Sequence, residues 1–191
     1  MTIVPKHIPR TIALVGLMGA GKSAVGRRLA AQMGLPFIDA DTAIEAAAGC
    51  TIEEIFARHG EPEFRDGERR VIQRLLDSEP VHVLATGGGA FVNEQTRARL
   101  KQQAVTIWLR ADLETLLERV AKRSNRPLLK QGDPRMVLEK LIADRYPIYA
   151  EADIVVDTAP GPVEETVERV LNALTGFLDH DASLTERTAA S

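Results

Sequence analysis

Cysteine is almost absent from this sequence, and its scarcity excludes one way of stabilising a fold. The 191 residues include one cysteine, Cys50, so no internal disulfide can form. A chain without disulfides fits a reducing compartment. Histidines are also few, and they are scattered without the spacing typical of metal ligands: His7, His59, His82 and His180. Disulfide-stapled folds and histidine-rich metal sites are therefore not expected.

Long hydrophobic runs and an excess of one charge are missing as well. No apolar run approaches the ~18 residues of a membrane span, and the start MTIVPKHIPR lacks the apolar core of a signal peptide. The 24 Lys and Arg residues nearly balance 27 Asp and Glu residues, for a net charge of −3. This balance argues against a general nucleic-acid binder and against a membrane-surface protein. We predict a cytoplasmic protein without a nucleic-acid or membrane partner.

What the chain does have is a regular alternation of two hydrophobic periods. Five apolar runs are predicted to be strands: 11–16, 35–41, 81–86, 104–110 and 153–158. Helical patterns lie between them, with start signals at Thr51, Asn93 and Asp133-Pro134. A separate longer helix is predicted from Glu61 to Leu76, and a last helix from Val163 to Phe177. The alternation implies an α/β fold, with a mostly parallel sheet that helices cover on both faces. We expect a loose lead-in at 1–10, a single domain at 11–176 and a flexible tail at 177–191.

The strongest motif is GLMGAGKS at residues 16–23. It matches G-x-x-x-x-G-K-[ST] and lies between a predicted strand and a predicted helix, as that pattern requires. Its glycines let backbone N–H groups converge on an anion at the start of a helix. Lys22 would reach the β- and γ-phosphates, and the Ser23 hydroxyl is a hard ligand for Mg²⁺. The motif predicts nucleotide or polyphosphate binding and leaves the acceptor open.

Two carboxylates, Asp39 and Asp41, follow the second predicted strand. In an extended chain they would point to the same face, at the strand end where doubly wound sheets bind ligands. The alternative is that Asp41 only caps the helix after it. The third strand, VHVLAT, carries no acid. Because that strand offers no carboxylate to organise a metal ion, we expect Asp39 to hold the water shell of a magnesium ion.

Two further segments have a functional and a plain interpretation. Gly87, Gly88 and Gly89 follow the third strand, and they indicate either a ligand close to the backbone or a flexible loop. Residues 119–135 hold six basic groups and one acid, interrupted by Pro127 and Gly132. Such a segment is either a solvated helix face or a lid that brings a cation to a phosphoryl group.

Together these residues resemble the shikimate kinase family, a small-molecule branch of the P-loop kinases. The resemblance covers about Thr11 to Leu174, and its motifs occur in the family's order: GLMGAGKS, Asp39-Ala40-Asp41, Glu63-Phe64-Arg65, the glycine triplet, Arg126-Pro127-Leu128-Leu129 and Arg145-Tyr146-Pro147-Ile148-Tyr149. It implies a P-loop three-layer fold whose five-stranded parallel sheet has the order 2-3-1-4-5. It also implies an acceptor-binding region at about 41–70 and a mobile lid at about 123–135.

The resemblance implies a role for each matching residue. Nucleotide binding would fall to Gly19, Ala20, Gly21, Lys22, Ser23, Ala24, Arg123 and Arg126. Acceptor binding would fall to Asp41, Phe56, Phe64, Arg65, Gly87, Gly88, Gly89 and Arg145, with Glu68 orienting Arg65. The metal site would be Ser23 with Asp39 acting through water, and the catalytic residues Lys22, Asp41 and Arg126.

The activity that the resemblance implies is transfer of the ATP γ-phosphoryl group to the 3-hydroxyl of shikimate, in chorismate and aromatic amino-acid biosynthesis. Mg²⁺ would be the cofactor, and the protein would be a monomer. The alternatives are a kinase for another polyol such as gluconate, a nucleoside-monophosphate kinase, or a nucleotide-dependent switch that binds a protein. The two kinases give no reason for the combination of Asp41, Arg65, the glycine triplet and Arg145. A switch would need exposed apolar surface or switch segments, which the sequence does not show.

Overall fold

The structure, a computed structural model, describes residues 8–122 and 133–189, with side chains described as far as residue 180. The strands are β1 (Thr11–Val15), β2 (Phe37–Asp39), β3 (Val83–Ala85), β4 (Ala104–Ala111) and β5 (Ile154–Thr158). The helices are α1 (Lys22–Met33), α2 (Ala40–Ala48), α3 (Ile52–Ser78), α4 (Glu94–Gln103), α5 (Leu113–Ala121), α6 (Pro134–Tyr149) and α7 (Val163–Ala189), with a 3₁₀ turn at Ala90–Val92. Arg123, Arg126 and the expected lid, apart from Asp133–Arg135, lie outside the described residues.

The five strands form one parallel sheet of order β2-β3-β1-β4-β5. This confirms the order that the resemblance implied. The central strand β1 is buried at every residue, so helices cover both faces of the sheet. α1 and α7 pack together and against the sheet, whereas α4 packs on α3 and β4. No helix in the described parts of the chain is long and apolar enough to span a membrane.

Three boundaries differ from the sequence prediction. β2 ends at Asp39 and α2 begins at Ala40, so Asp39 and Asp41 are not two residues of one extended strand. The two helices predicted around Thr51 and Glu61 form one element, α3, which is interrupted at Gly60. α7 does not end near Phe177 but continues to Ala189, because neither glycine nor proline follows Gly176 to stop it.

Candidate active site

The phosphate-loop motif joins the buried end of β1 to the first turn of α1. Gly16, Gly19 and Gly21 have φ values of 135°, 82° and 96°, a region that favours glycine. A Cβ atom on Gly16 would also lie 2.7 Å from the carbonyl oxygen of Leu109 on β4. The glycines therefore fix the loop's shape, and the start of α1 at Lys22 directs its N-terminus toward the loop.

The Lys22 side chain holds the phosphate loop itself, and the Ser23 side chain connects the loop to β2. The Lys22 ammonium donates to the carbonyl oxygens of Gly16 and Leu17, at 2.8 and 2.9 Å. The Ser23 hydroxyl donates to Asp39 Oδ2 at 2.6 Å. Two oxygen atoms that suit a hard metal ion, one from the hydroxyl and one from the carboxylate, thus lie side by side at the end of β2.

Asp39, and not Asp41, is the residue that caps α2. Asp39 Oδ1 accepts a hydrogen bond from the backbone N–H of Asp41 at 3.1 Å, as an N-cap side chain does. The alternative role considered for Asp41, a helix cap, is therefore wrong. Asp41 lies in the first turn of α2 with its carboxylate exposed.

A cleft of about 390 Å³ brings the predicted phosphate-loop and metal residues together with two of the predicted acceptor residues, Asp41 and Gly88. Asp39 and Asp41 both line it: Asp39 ends β2 and caps α2, and Asp41 lies in the first turn of α2. The predicted residues on its wall are Gly19, Ala20, Gly21, Lys22, Ser23, Ala24, Asp39, Asp41 and Gly88. Phe56, Phe64, Arg65, Gly87, Gly89 and Arg145 do not line this cleft; Arg65 and Arg145 instead approach the glycine triplet, whose middle residue, Gly88, is on the cleft wall.

The glycine triplet is required for space and not for backbone conformation, since none of its residues has a positive φ. A Cβ atom on Gly89 would lie 2.4 Å from Arg65 Nη1. A Cβ atom on Gly87 would lie 2.5 Å from Glu68 Oε1 and 3.0 Å from Asp41 Oδ1. The close approach that the glycines indicate is thus made by side chains of α2 and α3.

Arg145 and Tyr149 of α6 hold the middle of the triplet. Arg145 Nη1 donates to the Gly88 carbonyl oxygen at 3.1 Å, and the Tyr149 hydroxyl donates to the same oxygen. Burial raises the pKa of Tyr149 to about 12, so it remains a donor at neutral pH. Sequence reasoning missed Tyr149, although it belongs to the motif that contains Arg145.

Arg65 reaches the triplet from α3 between two carboxylates. Its Nη1 donates to Glu68 Oε2 at 2.7 Å, which confirms that Glu68 orients the guanidinium. Its Nε and Nη2 donate to Glu61 Oε1 at 3.2 and 3.1 Å. Burial lowers the pKa of Arg65, but the attraction of Glu68 and Glu61 outweighs burial and raises it. Burial raises the pKa of the Glu68 carboxyl, and Arg65 offsets only part of that effect.

The two predicted pocket phenylalanines contact each other beside Arg65. The rings of Phe56 and Phe64 have centroids 4.6 Å apart, and the Arg65 guanidinium lies 5.0 Å above the Phe64 ring. Phe64 is buried and Phe56 half-buried. They are part of the core and form an apolar wall next to a cation.

Arg119 of α5 is a cleft residue that sequence reasoning left inside a general basic segment. Its Nη1 donates to the carbonyl oxygens of Gly19 and Ala20, each at 3.3 Å, and to Thr158 Oγ1 at 3.2 Å. Its Nη2 donates to the Ala159 carbonyl oxygen at 2.7 Å. Arg119 thus connects the phosphate loop to the end of β5, where both line the cleft. Helical spacing predicted α5 but not which of its cations faces the loop.

Comparisons with known proteins agree on one family. A family model described as "Shikimate kinase" matches residues 18–175. A shikimate kinase of Paramagnetospirillum magneticum is 60% identical over 91% of this chain and 88% of its own length. One from Caulobacter vibrioides is 61% identical over 86% of this chain and 82% of its own. The solved structure of a shikimate kinase from Acinetobacter baumannii in complex with shikimate superposes with a TM-score of 0.83, at 39% identity, over 87% of this chain and 93% of that chain.

Proposed function

The chain belongs to the shikimate kinase family, and from that premise we propose that it transfers the γ-phosphoryl group of ATP to the 3-hydroxyl of shikimate. The products are shikimate 3-phosphate and ADP, and the reaction serves chorismate and aromatic amino-acid biosynthesis. We also propose that the protein is a monomer and acts in the cytoplasm. The lone cysteine, Cys50, supports a reducing compartment.

One observation carries the choice of acceptor: two arginines from different helices meet at one glycine turn beside the phosphate loop. Arg65 packs on Gly89, and Arg145 donates to Gly88, which lines the cleft. A guanidinium can donate two parallel hydrogen bonds to a carboxylate, so this pair suits a small planar acid. Asp41 lies beside Gly87 and lines the cleft, where it suits the hydroxyl groups of the same acceptor.

The roles we assign follow from these positions. The backbone of the phosphate loop and Lys22 bind the phosphates and stabilise the charge that develops during transfer. Asp41 orients the attacking hydroxyl and accepts its proton. A loose phosphoryl transition state does not require this proton transfer to occur early. Phe56 and Phe64 form an apolar wall. Arg123 and Arg126, which lie outside the described residues, stay assigned to the nucleotide by the family resemblance alone.

The residues at the end of β2 fit Mg²⁺. Ser23 Oγ and Asp39 Oδ2 lie 2.6 Å apart and are hard oxygen donors on the wall of the cleft. We propose that Ser23 binds the ion and that Asp39 holds it through water. When bound there, the ion would supply positive charge that offsets the negative charge of the phosphates.

Arg65→Lys and Arg145→Lys test the acceptor site. Each should raise the KM for shikimate about tenfold or more, because an ammonium cannot reproduce the bidentate geometry, while the KM for ATP stays within about twofold. The measurement is ADP release with shikimate, gluconate and other small hydroxy acids. Arg69→Lys is the control, since Arg69 pairs with Asp66 on the same helix. Faster turnover of gluconate than of shikimate would contradict the proposal.

A further inference from the structure

Arg65 has two carboxylate partners that differ sharply in exposure. The Glu68 side chain is 2% exposed and packs against Gly87, so it is a fixed part of the structure. Glu61 lies four residues before Arg65 on the same helix, and its side chain is 59% exposed. An ion pair whose carboxylate is this exposed contributes little to stability. Glu61 can therefore leave Arg65 at little cost, and Glu68 cannot.

Glu61 occupies the edge of the guanidinium that is best suited to a carboxylate. Nε and Nη2 point the same way and can donate in parallel to two carboxylate oxygens. Glu61 offers them a single oxygen, Oε1, at 3.2 and 3.1 Å. A carboxylate that presents both oxygens to this edge would bind it better than Glu61 does.

We propose that Glu61 is an internal competitor of the acceptor: its carboxylate holds the Nε/Nη2 edge of Arg65 until the carboxylate of the acceptor displaces it. This inference depends on the proposed function, in which Arg65 binds that carboxylate. Glu61 is then a positioning residue that keeps Arg65 oriented and sets the acceptor's affinity. Its negative charge also opposes an anionic acceptor, together with Asp41 and Glu68.

Glu61→Gln tests the competition because it removes the charge and keeps the size. The KM and the calorimetric Kd for shikimate should fall about three- to tenfold, while kcat and the KM for ATP stay within about twofold. Glu63→Gln is the matched control: it makes the same change of net charge on the same helix, and Glu63 lies 3.9 Å from Arg70 and not on Arg65. It should change the KM less than about twofold. An unchanged or raised shikimate KM in Glu61→Gln would overturn the inference.

A neutral acceptor separates competition from a merely structural effect. The amide analogue of shikimate has no carboxylate to exchange for Glu61, so Glu61→Gln should not improve its KM. An equal improvement for the acid and the amide would overturn the proposal. Arg65→Lys shows whether a negative result contradicts the acceptor assignment or only the competition. If it leaves the shikimate KM unchanged, the acceptor assignment itself is wrong; if it raises that KM and Glu61→Gln does not lower it, only the competition is wrong.

Discussion

Gly89 has no side chain, and the Arg65 guanidinium occupies the space that a Cβ atom there would fill. A methyl group there would lie 2.4–2.5 Å from three guanidinium atoms, so Arg65 must move. The far end of a flexible side chain can move without disturbing the backbone, so Gly89→Ala should change acceptor binding more than stability. We expect a shikimate KM raised about tenfold or more, an unchanged KM for ATP and a Tm within about 4 °C of the original.

Gly67→Ala is the control for that prediction. Gly67 lies within α3, and a Cβ atom there would meet no atom within 4 Å. Alanine should stabilise the helix by about 0.5–1 kcal/mol and leave both KM values unchanged. Steady-state kinetics and thermal unfolding of the two variants give the comparison. An unchanged shikimate KM in Gly89→Ala would mean that Arg65 need not lie on the triplet during turnover.

Asp39→Asn and Asp41→Asn should fail in different ways. Asparagine caps helices as well as aspartate, so Asp39→Asn should leave α2 and the Tm nearly unchanged. It should raise the Mg²⁺ concentration needed for half-maximal rate, and extra Mg²⁺ should restore part of the activity by mass action. Asp41→Asn should lose about 10²-fold or more in kcat at any Mg²⁺ concentration, because an amide cannot accept the proton.

Mg²⁺ titration of initial rates at saturating ATP and shikimate is the measurement for both variants. Exchanged behaviour would mean that the two roles are exchanged. Near-normal turnover in Asp41→Asn would leave the hydroxyl without an assigned base, and the acceptor would have to be held elsewhere.

The residues that sequence could predict are those whose reason is local. Lys22 and Ser23 follow from one loop, because the glycines, the cation and the hydroxyl are consecutive. The reason for Gly89 is not local, since Arg65 lies on a different element and only the folded chain brings them together. The same holds for Tyr149, whose partner is a carbonyl oxygen far away in sequence. Only the family resemblance put Arg65 and Arg145 at one site.

Among the elements, α3 places the acceptor region by means of a break. Gly60 has φ 78° and ψ 179°, and the helix resumes beyond it with Pro62 in its first turn. Before the break, a capping box of Thr51 and Glu54 starts the helix. The break sets the direction of the segment that carries Phe64 and Arg65.

Gly60→Ala should therefore weaken both the helix and the site. A side chain at this φ and ψ costs about 1–3 kcal/mol, and the free energy of unfolding in urea should fall by about that amount. The shikimate KM should rise while the KM for ATP changes little, since the phosphate loop lies elsewhere. The Gly67→Ala variant controls for glycine replacement in the same helix. A Gly60→Ala protein as stable as the original would show that α3 tolerates a continuous helix there.

Sequence patterns found the elements better than their ends. The capping signals at Thr51, Asn93 and Asp133 mark real helix starts, because a cap needs only neighbouring residues. The end of β2 was misplaced because pairing with β3, a non-local contact, decides where the strand stops. The small polar residues at the end of the chain predict a tail, yet α7 continues through them to Ala189 because nothing in them breaks a helix.

At the scale of the whole molecule, hydrophobic periodicity predicts the α/β class but not the order of the strands. Alternating helices and strands suit many doubly wound sheets. The order β2-β3-β1-β4-β5 depends on which buried runs pair, and periodicity along the chain does not show that non-local pairing. The family resemblance supplied the order, and the pairing of β1 with both β3 and β4 confirms it.

Acid should destabilise the protein through many exposed carboxylates. Hydrogen bonds from backbone and side-chain groups at helix starts, or from arginine, lysine or glutamine side chains, lower the pKa in the fold for several of them: Glu54, Asp66, Asp77, Asp112, Glu118, Asp157 and Glu164. A lowered pKa contributes stability that is present above the unfolded value and is lost as the pH falls toward the folded value. The Tm should thus fall as the pH drops below about 4. A flat Tm from about pH 6 to pH 3 would contradict this expectation.

Glu68 should act in the opposite direction, because burial raises its pKa in the fold. As the pH rises above about 4.5, the unfolded chain releases this proton first, so stability falls until the folded carboxyl also ionises. The test compares the Tm of the original protein with that of Glu68→Gln from about pH 3 to pH 8. The Tm of the original protein minus the Tm of Glu68→Gln should decrease as the pH rises above about 4.5. Asp157→Asn is the control, since Arg110 lowers the Asp157 pKa and its difference should instead shrink as the pH falls. If the Glu68 difference grows with pH, Arg65 stabilises the carboxylate by more than burial costs, and the ion pair that orients Arg65 is then a net source of stability.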